Sequence, residues 1–234
     1  MGRSLRSAAM LAFLVACAAF AQLPGAEEFD TSAGNLLAVL RASPGASQAD
    51  DTLKPIGIVH ATLPDGRDVQ IAASWFHYLG DTHVRLVFDG EHSMQSAGPD
   101  DLERLHLDPE QALAQAVANM RRKYGAPQVR PLGAGVMQVD AGEPDLASSY
   151  ILDRAFWLQE LSEHPEGLVV SIPRRGSLLF APAGDPSALI GLSFSATAIY
   201  MQNERSRISS ALYLFKDGRW SVYQPPQHLA SDDG

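Results

Sequence analysis

The chain has 234 residues, of which 46% are hydrophobic and 19% are charged, and its formal net charge is −9. This length and composition are sufficient for one domain with a substantial core or for two small lobes. An acidic chain without a basic patch argues against binding to nucleic acid and against electrostatic docking on anionic lipid.

The first 21 residues have the pattern of a secretory signal peptide. Arg3 and Arg6 precede an apolar segment over residues 8–21, and Ala19-Phe20-Ala21 fits the rule for cleavage before Gln22. This apolar segment is shorter than the stretch of about 20 residues that a membrane span requires. We therefore expect an exported protein of the bacterial periplasm or cell envelope, which meets the membrane only through its leader or a lipid anchor.

The only cysteine, Cys17, lies within this leader and leaves two alternatives open. Leu14-Val15-Ala16-Cys17 resembles a bacterial lipoprotein box, in which the leader is residues 1–16 and the lipidated cysteine becomes the first mature residue. In the other interpretation cleavage follows Ala21, and Cys17 is removed as a small hydrophobic residue. Neither mature form contains an internal disulfide, so packing must stabilise the fold.

The N-terminal part of the mature chain is predicted to be a flexible segment followed by β-structure. Residues 22–55 are expected to be flexible, with a short helix over 31–40 and a polar linker over 42–54. Residues 56–98 are predicted to form a β-hairpin region, and residues 91–100 to be mostly loop. Its predicted strands cover residues 56–63, 67–73 and 83–88, with a turn at Pro64-Asp65-Gly66 between the first two.

Residues 99–226 are predicted to form an α+β domain, followed by a tail over residues 227–234. Its first helix has a clear start, because Asp108 can cap it, Pro109 suits the first turn, and Gln111 completes a capping box. The expected stop is Gly125. The later elements are predicted as a hairpin over 129–139, a helix over 185–202, and a strand over 209–215 that returns over 220–223.

Two alternatives remain for residues 145–161. In the first, they form one helix, and Arg154 then interrupts its apolar face. In the second, a short strand over 149–152 precedes a helix capped by Asp153, and Arg154 is an exposed residue of the first turn. We prefer the second, because aspartate is a favourable cap and the apolar residues that follow then share one face.

The stretch from Gly167 to Pro182 is predicted to organise this domain. Leu168-Val169-Val170 and Ile172 form a nearly continuous apolar run, which is typical of a strand covered on both faces. Pro173 ends that strand, and Arg174-Arg175-Gly176 supplies a turn into a second strand over 177–180. The overall prediction is an α+β fold in which a mixed or antiparallel sheet of several hairpins is flanked by two or three helices.

Four segments occur in one order along the chain: Ala112–Asn119, Ser148–Leu152, Leu168–Arg175 and Ser210–Tyr213. Together they resemble the YtpQ-like family, a bacterial family of unknown function, over roughly residues 105–223. In that family the turn after the central strand reads closer to Pro-Asn-Arg-Asp, whereas here Arg174 replaces the Asn and Gly176 replaces the Asp. The resemblance implies no catalytic residues, and the members with this pattern resemble cytoplasmic proteins without a leader.

Candidate site residues come from the turn and from polar residues of the resembling segments. Arginine is the planar, permanently charged donor suited to carboxylates and phosphates, so Arg174 and Arg175 suggest recognition of an anion. With Asn119, Ser148 and Ser149 they form the predicted contact surface of a non-catalytic binding or envelope-associated protein, whose partner is another protein or a small anionic ligand.

The alternative function is a serine-type hydrolase that uses Ser149 and a distant histidine, although no Gly-x-Ser-x-Gly motif surrounds this serine. The seven histidines have no metal-ligand spacing, and no phosphate-binding or dinucleotide-binding glycine motif is present. We therefore predict neither a metal nor a cofactor. Whether the protein is an enzyme stays open at this point.

Overall fold

The computed structural model describes residues 28–62 and 66–227, and within them the fold is α+β with antiparallel sheets. The predicted leader, its cleavage site and Cys17 lie outside the described residues. The strands are β1 (Leu36–Ala42), β2 (Lys54–Pro55), β3 (Ile58–Thr62), β4 (Asp68–Ala72), β5 (Trp75–His77), β6 (Thr82–Asp89), β7 (Met94–Ser96), β8 (Gln128–Gly133), β9 (Val136–Asp140), β10 (Leu168–Ser171), β11 (Leu179–Pro182), β12 (Leu212–Lys216) and β13 (Arg219–Gln224). The α-helices are α1 (Pro99–Arg104), α2 (Pro109–Tyr124), α3 (Arg154–Ser162) and α4 (Pro186–Gln202).

The first sheet has the order β1-β6-β5-β2, with β7 also paired to β6. The helix expected over 31–40 is wrong, because Leu36–Leu40 form a buried strand that pairs antiparallel with β6 after one short 3-10 turn at Ala33–Asn35. Five consecutive apolar residues are covered on both faces in β1, which is typical of a buried strand. The segment 22–55, expected to be flexible, therefore contributes a core strand of the fold.

The second sheet has the order β13-β12-β10-β11-β9-β8 and is built around the predicted central hairpin. β10 and β11 pair antiparallel with Val170 opposite Phe180, and both residues are buried. On one face Val169 and Leu179 pack with Leu192 of α4 in a small apolar cluster. On the other face Val170 and Phe180 enter the main core, so this hairpin is covered on both sides as predicted.

One apolar core joins the two larger sheets. Leu40 and Leu86 of the first sheet belong to the same cluster as Phe180 and Trp220 of the second. Trp157 of α3 lies in this core, with ring centroids 5.6 Å from Phe180 and 5.2 Å from Trp220, and its indole N–H donates to the Tyr150 carbonyl at 2.9 Å. Edge-to-face aromatic contacts of this kind add to the stabilisation that comes from burial.

A polar contact also ties the two larger sheets together. Ser209 and Tyr213 both donate hydrogen bonds to Oδ1 of Asp81, at 2.5 and 3.0 Å, and Asp81 lies in the turn between β5 and β6. Gly80 must be small here, because a Cβ atom on it would lie 2.8 Å from the Tyr213 ring. The turn at the end of β5 is thereby held against β12.

The region around α3 partly corrects the sequence-based expectation. The strand predicted over 149–152 is wrong, because residues Pro144–Leu152 form a 3-10 helix that packs against β1. The predicted helix after it is confirmed: Asp153 caps α3 by accepting from the Phe156 amide at 3.2 Å, and Arg154 is exposed in the first turn. Residues 91–100 were expected to be loop, but they contain β7 and the start of α1.

Helix α2 begins and ends where the sequence predicted. The Asp108 carboxylate accepts from the Gln111 amide at 2.8 Å, and the Gln111 side chain accepts from the Asp108 amide at 3.1 Å, which completes the capping box. Gly125 ends the helix with a φ of 88°. Across residues 28–62 and 66–227, no helix is both long and apolar enough to cross a membrane.

Candidate functional site

The Arg174-Arg175 turn borders a concave pocket of about 370 Å³. The turn is held in place from both sides: the Arg175 amide donates to the Ser206 carbonyl at 2.8 Å, and Arg174 Nε donates to Ser177 Oγ at 3.3 Å. The pocket is therefore formed where the central hairpin meets the 3-10 helix and the segment after α4. Its lining residues are Pro144, Asp145, Arg174, Arg175, Gly176, Asn203 and Ser206.

Gly176 fits the turn closely against the 3-10 helix. Its φ is +75°, and a Cβ atom at this position would lie 3.0 Å from the Pro144 carbonyl oxygen. Only glycine combines this backbone conformation with so close an approach at no steric cost. Gly176 is thus matched to the local packing of the turn.

Arg41, at the end of β1, is a half-buried guanidinium close to this pocket. It donates to its neighbour's carbonyl, Leu40 O, at 2.8 Å, and it forms no ion pair with a carboxylate of the described residues. Burial, together with the charges of Arg175 and Arg85, lowers the pKa of Arg41 to about 10, and Asp145 opposes that shift. Arg41 thus lies between like charges with little compensation, which is costly for a partly desolvated cation.

Arg85 and His83 lie next to Arg41 on the same face of the first sheet. In the strand register, His83 of β6 is opposite Arg41 of β1 and His77 of β5, while Arg85 is opposite Trp75. Arg85 Nε donates to His83 Nε2 at 2.8 Å, and its guanidinium carbon lies 3.7 Å from the centre of the Trp75 ring. Burial, and then the charge of Arg85, lowers the pKa of His83 to about 4.

These four residues, Arg41, Arg85, Arg174 and Arg175, are called the arginine cluster below. Within the described residues none of them has a carboxylate partner, whereas many other cations of the chain do. Arg174 and Arg175 line the pocket, and Arg41 is close enough to Arg175 and Arg85 for their charges to interact. A guanidinium group can donate two parallel hydrogen bonds to a carboxylate or phosphate. The carboxylate-paired cations are Arg104, Arg121, Lys123, Arg130, Arg154 and Arg207.

The other predicted contact residues have structural partners. Asn119 is buried on α2, where its Nδ2 donates to the Ala33 and Leu36 carbonyls at 2.7 and 2.8 Å. Ser149 is fully buried in the 3-10 helix and accepts from the Leu40 amide at 3.1 Å. Ser148 is also fully buried, and its hydroxyl has no hydrogen-bond partner there. The structure thus brings Arg174 and Arg175 to one pocket but uses Asn119 and Ser149 to hold β1 in place.

Neither serine has a histidine as a described hydrogen-bond partner. The Ser149 hydroxyl is engaged by the Leu40 amide, and the Ser148 hydroxyl has no hydrogen-bond partner. The direct hydrogen bond between a serine nucleophile and its histidine base is therefore not among the described contacts of these serines. Residues 28–62 and 66–227 contain no group of three or more His, Cys, Asp or Glu side chains placed to hold a metal ion.

Sequence reasoning missed Arg41 and Arg85 as members of the site. Each is a charged residue in an otherwise apolar strand: Arg41 follows five buried residues, and Arg85 stands between Val84 and Leu86. Burial of a charged side chain at such a position costs free energy, so a charge there often has a functional role. This was the signal available in the sequence. At Arg41 this signal could not be recognised while the preceding residues 31–40 were expected to be helical, whereas at Arg85 it was present in a strand that was predicted.

No family model, curated protein or solved structure matches this chain. The resemblance to the YtpQ-like family stays a prediction based on the residues quoted above. Function must therefore be argued from the arginine cluster and its surroundings.

Proposed function

We propose that the protein is an exported, non-catalytic binding protein that recognises a carboxylate or phosphate group at the arginine cluster. The observation that carries the proposal is the half-buried, unpaired guanidinium of Arg41 beside Arg175 and Arg85. A ligand anion would relieve the repulsion between these like charges, and it would also supply the acceptors that the described residues do not provide. Membership of the YtpQ-like family and location in the bacterial envelope belong to the same proposal.

The size and accessibility of the pocket support a small ligand. A volume of about 370 Å³ lies within the roughly 300–1,000 Å³ that is usual for small-molecule sites. Arg175 is exposed at the pocket, and Arg41 is half-buried and close enough to Arg175 for their charges to interact, so an anion bound at Arg175 would be attracted by both guanidinium groups. Asp145 lines the same pocket, and its carboxylate disfavours an anion that is too large to remain on the arginine side.

Calorimetric titration with inorganic phosphate and with succinate at low ionic strength tests this proposal. We expect saturable binding of at least one anion, and we expect Arg175→Ala to weaken it by about tenfold or more because a charge-assisted contact is lost. The matched control is Arg219→Ala, which removes the same charge from an exposed position on β13. Binding of neither anion, or equal affinity in the two variants, would refute the proposal.

Export has its own test. Mass spectrometry of the mature N-terminus from a bacterial envelope preparation distinguishes cleavage after Ala21 from a lipidated Cys17. An intact Met1 terminus would contradict export through this leader. The hydrolase alternative requires Ser149 to be essential for an activity, and a Ser149→Ala variant with unchanged activity ends it.

A further inference from the structure

Helix α4 is uncharged on every face, because no Asp, Glu, Lys or Arg occurs from Pro186 to Gln202. Its inner face packs on the second sheet through Ala188, Leu192 and Ala196, which are all buried. A helix at a protein surface normally carries charged or polar residues on its outer face, and a helix that is apolar all round is normally buried. The sequence of α4 is therefore that of a helix covered on both sides.

The outer face of α4 carries a stripe of exposed apolar side chains. Ile190, Phe194 and Met201 are 73%, 78% and 53% exposed, and Thr197 and Ala198 are exposed between them. Their spacings of three and four residues place all five on one side of the helix. These five residues are called the α4 stripe below. A contiguous exposed apolar patch of this kind marks an interaction surface.

The α4 stripe is symmetric about its own midpoint. In an antiparallel pair of α4 helices centred between residues 195 and 196, Ile190 lies opposite Met201 of the second copy, and Phe194 lies opposite Thr197. Each phenyl ring then faces a small side chain, which leaves room for it. A contact about a two-fold axis uses the same patch on both subunits, so it requires a patch with this symmetry.

The charges at the two ends of α4 complement each other in the same arrangement. At its start lie Asp185, whose carboxylate caps the helix, and Glu166, which lies against the glycine before it. After its end lie Arg205, which is exposed and forms no ion pair within residues 28–62 and 66–227, and Arg207, which is paired with Glu204. Antiparallel packing brings the acidic start of each helix to the end of the other that carries the unpaired Arg205. This attraction is specific to the one orientation, because the net charge of −9 makes two copies repel each other in general.

The geometry points to a second copy of this chain as the partner that covers the α4 stripe, in an antiparallel homodimer. The dimer removes the stripe from water and joins opposite charges at both ends of the contact. A helix of 17 residues is about 25 Å long, so the interface lies at the small end of the usual range, and we expect a dissociation constant in the micromolar range. No residue of the stripe lines the pocket at Arg174-Arg175, so the dimer does not depend on anion binding.

Sedimentation velocity of the exported protein between about 1 and 200 μM tests the dimer. We expect the wild type to shift from monomer to dimer, and we expect Phe194→Glu to weaken association by about tenfold or more, because two carboxylates would be buried near the axis. Leu158→Glu is the matched control, since it adds the same charge at an exposed leucine of α3 outside the stripe, and it should associate as the wild type does. Both variants should keep the melting temperature of the dilute protein, because each replaced side chain is largely exposed in the monomer.

Disulfide cross-linking tests the antiparallel register. In a Cys17→Ala background, which removes the only native cysteine, a mixture of Ile190→Cys chains and Met201→Cys chains should form a mixed disulfide on oxidation with copper phenanthroline. Neither variant should cross-link to itself to a comparable extent, because the two copies of each position lie at opposite ends of the contact.

Three results would overturn the inference: a monomer over the whole concentration range, equal association of Phe194→Glu and Leu158→Glu, or cross-linking of Ile190→Cys chains with themselves. Flotation of a monomeric wild type with phosphatidylcholine vesicles, abolished in Phe194→Glu, would also overturn it, because the stripe would then contact lipid.

Discussion

Arg85 donates from Nε to the Nε2 atom of His83 at 2.8 Å while its guanidinium lies over the ring of Trp75. A nitrogen that accepts a hydrogen bond carries no proton, so this contact holds His83 in its neutral form. The neighbouring charges of Arg41 and Arg85 act in the same direction and keep the pKa of His83 low. This face of the first sheet therefore carries the charges of Arg41 and Arg85 beside a neutral His83.

The first prediction concerns the dependence of stability on pH. The pKa of His83 falls from 6.5 to about 4 on folding, mainly through burial, so below pH 6.5 the unfolded chain binds a proton that the folded chain does not. His83 therefore does not lower the free energy of unfolding above pH 6.5. As the pH falls from 6.5 towards 4, the free energy of unfolding decreases by at most about 3 kcal/mol. Urea unfolding of wild type and His83→Gln between pH 7 and 4 measures it. A stability difference between the two that does not change over this range would contradict the prediction.

The second prediction tests the role of Arg85 on that histidine. Arg85→Gln removes a like charge from beside His83, and we expect the pKa of His83 to rise towards its ordinary value. NMR titration of the imidazole resonances provides the measurement. Arg130→Gln is the control, because Arg130 is paired with Asp140 on the second sheet and should leave His83 unchanged. Identical titration curves for wild type and Arg85→Gln would show that burial alone sets the pKa.

The third prediction separates structural from binding residues. Asn119→Ala leaves the carbonyls of Ala33 and Leu36 without their donor and should lower the free energy of unfolding by about 2 kcal/mol or more. Gln115→Ala, one turn earlier on α2, removes only the contact to the Asn119 side chain and should cost less than about 0.5 kcal/mol. Chemical unfolding measures both. If Asn119→Ala keeps full stability but loses anion binding, Asn119 contacts the ligand after all.

The fourth prediction concerns the turn itself. Gly176→Ala combines a positive φ with a contact of 3.0 Å to the Pro144 carbonyl, so it should cost more than about 1 kcal/mol and weaken phosphate binding. Gly45→Ala is the control, because Gly45 has a φ of +82° but nothing within 4 Å of the added carbon. Gly45→Ala should lower the free energy of unfolding only by the cost of placing alanine at a positive φ. Equal losses in the two variants would mean that the turn is free to move away from Pro144.

The sequence could predict the elements whose ends are determined by residues close together in the chain. The α2 boundaries follow from Asp108, Gln111 and Gly125, which act within one turn of the helix ends. The central hairpin follows from an apolar run, a proline and a glycine within a few residues. By contrast, Leu36–Leu40 become a strand through pairing with β6, which lies more than forty residues later, and no local signal reports that pairing.

The sequence could predict only the part of the candidate site that lies within one hairpin. Arg174 and Arg175 lie in the central hairpin, and the structure places both at one pocket. Arg41 and Arg85 come to the same region through the strand register of the other sheet. Ser148 and Ser149 were predicted to belong to the contact surface, but both are buried in the 3-10 helix that packs against β1.

The central claim is that Arg41 and Arg175 together bind an anion, and NMR of the arginine Nε–Hε resonances during a phosphate titration tests it most directly. We predict that the resonances of Arg41 and Arg175 shift along one saturable curve, while that of Arg130, already paired with Asp140, stays in place. Small, non-saturating shifts of equal size in all three arginines, as ionic strength alone produces, would contradict the claim.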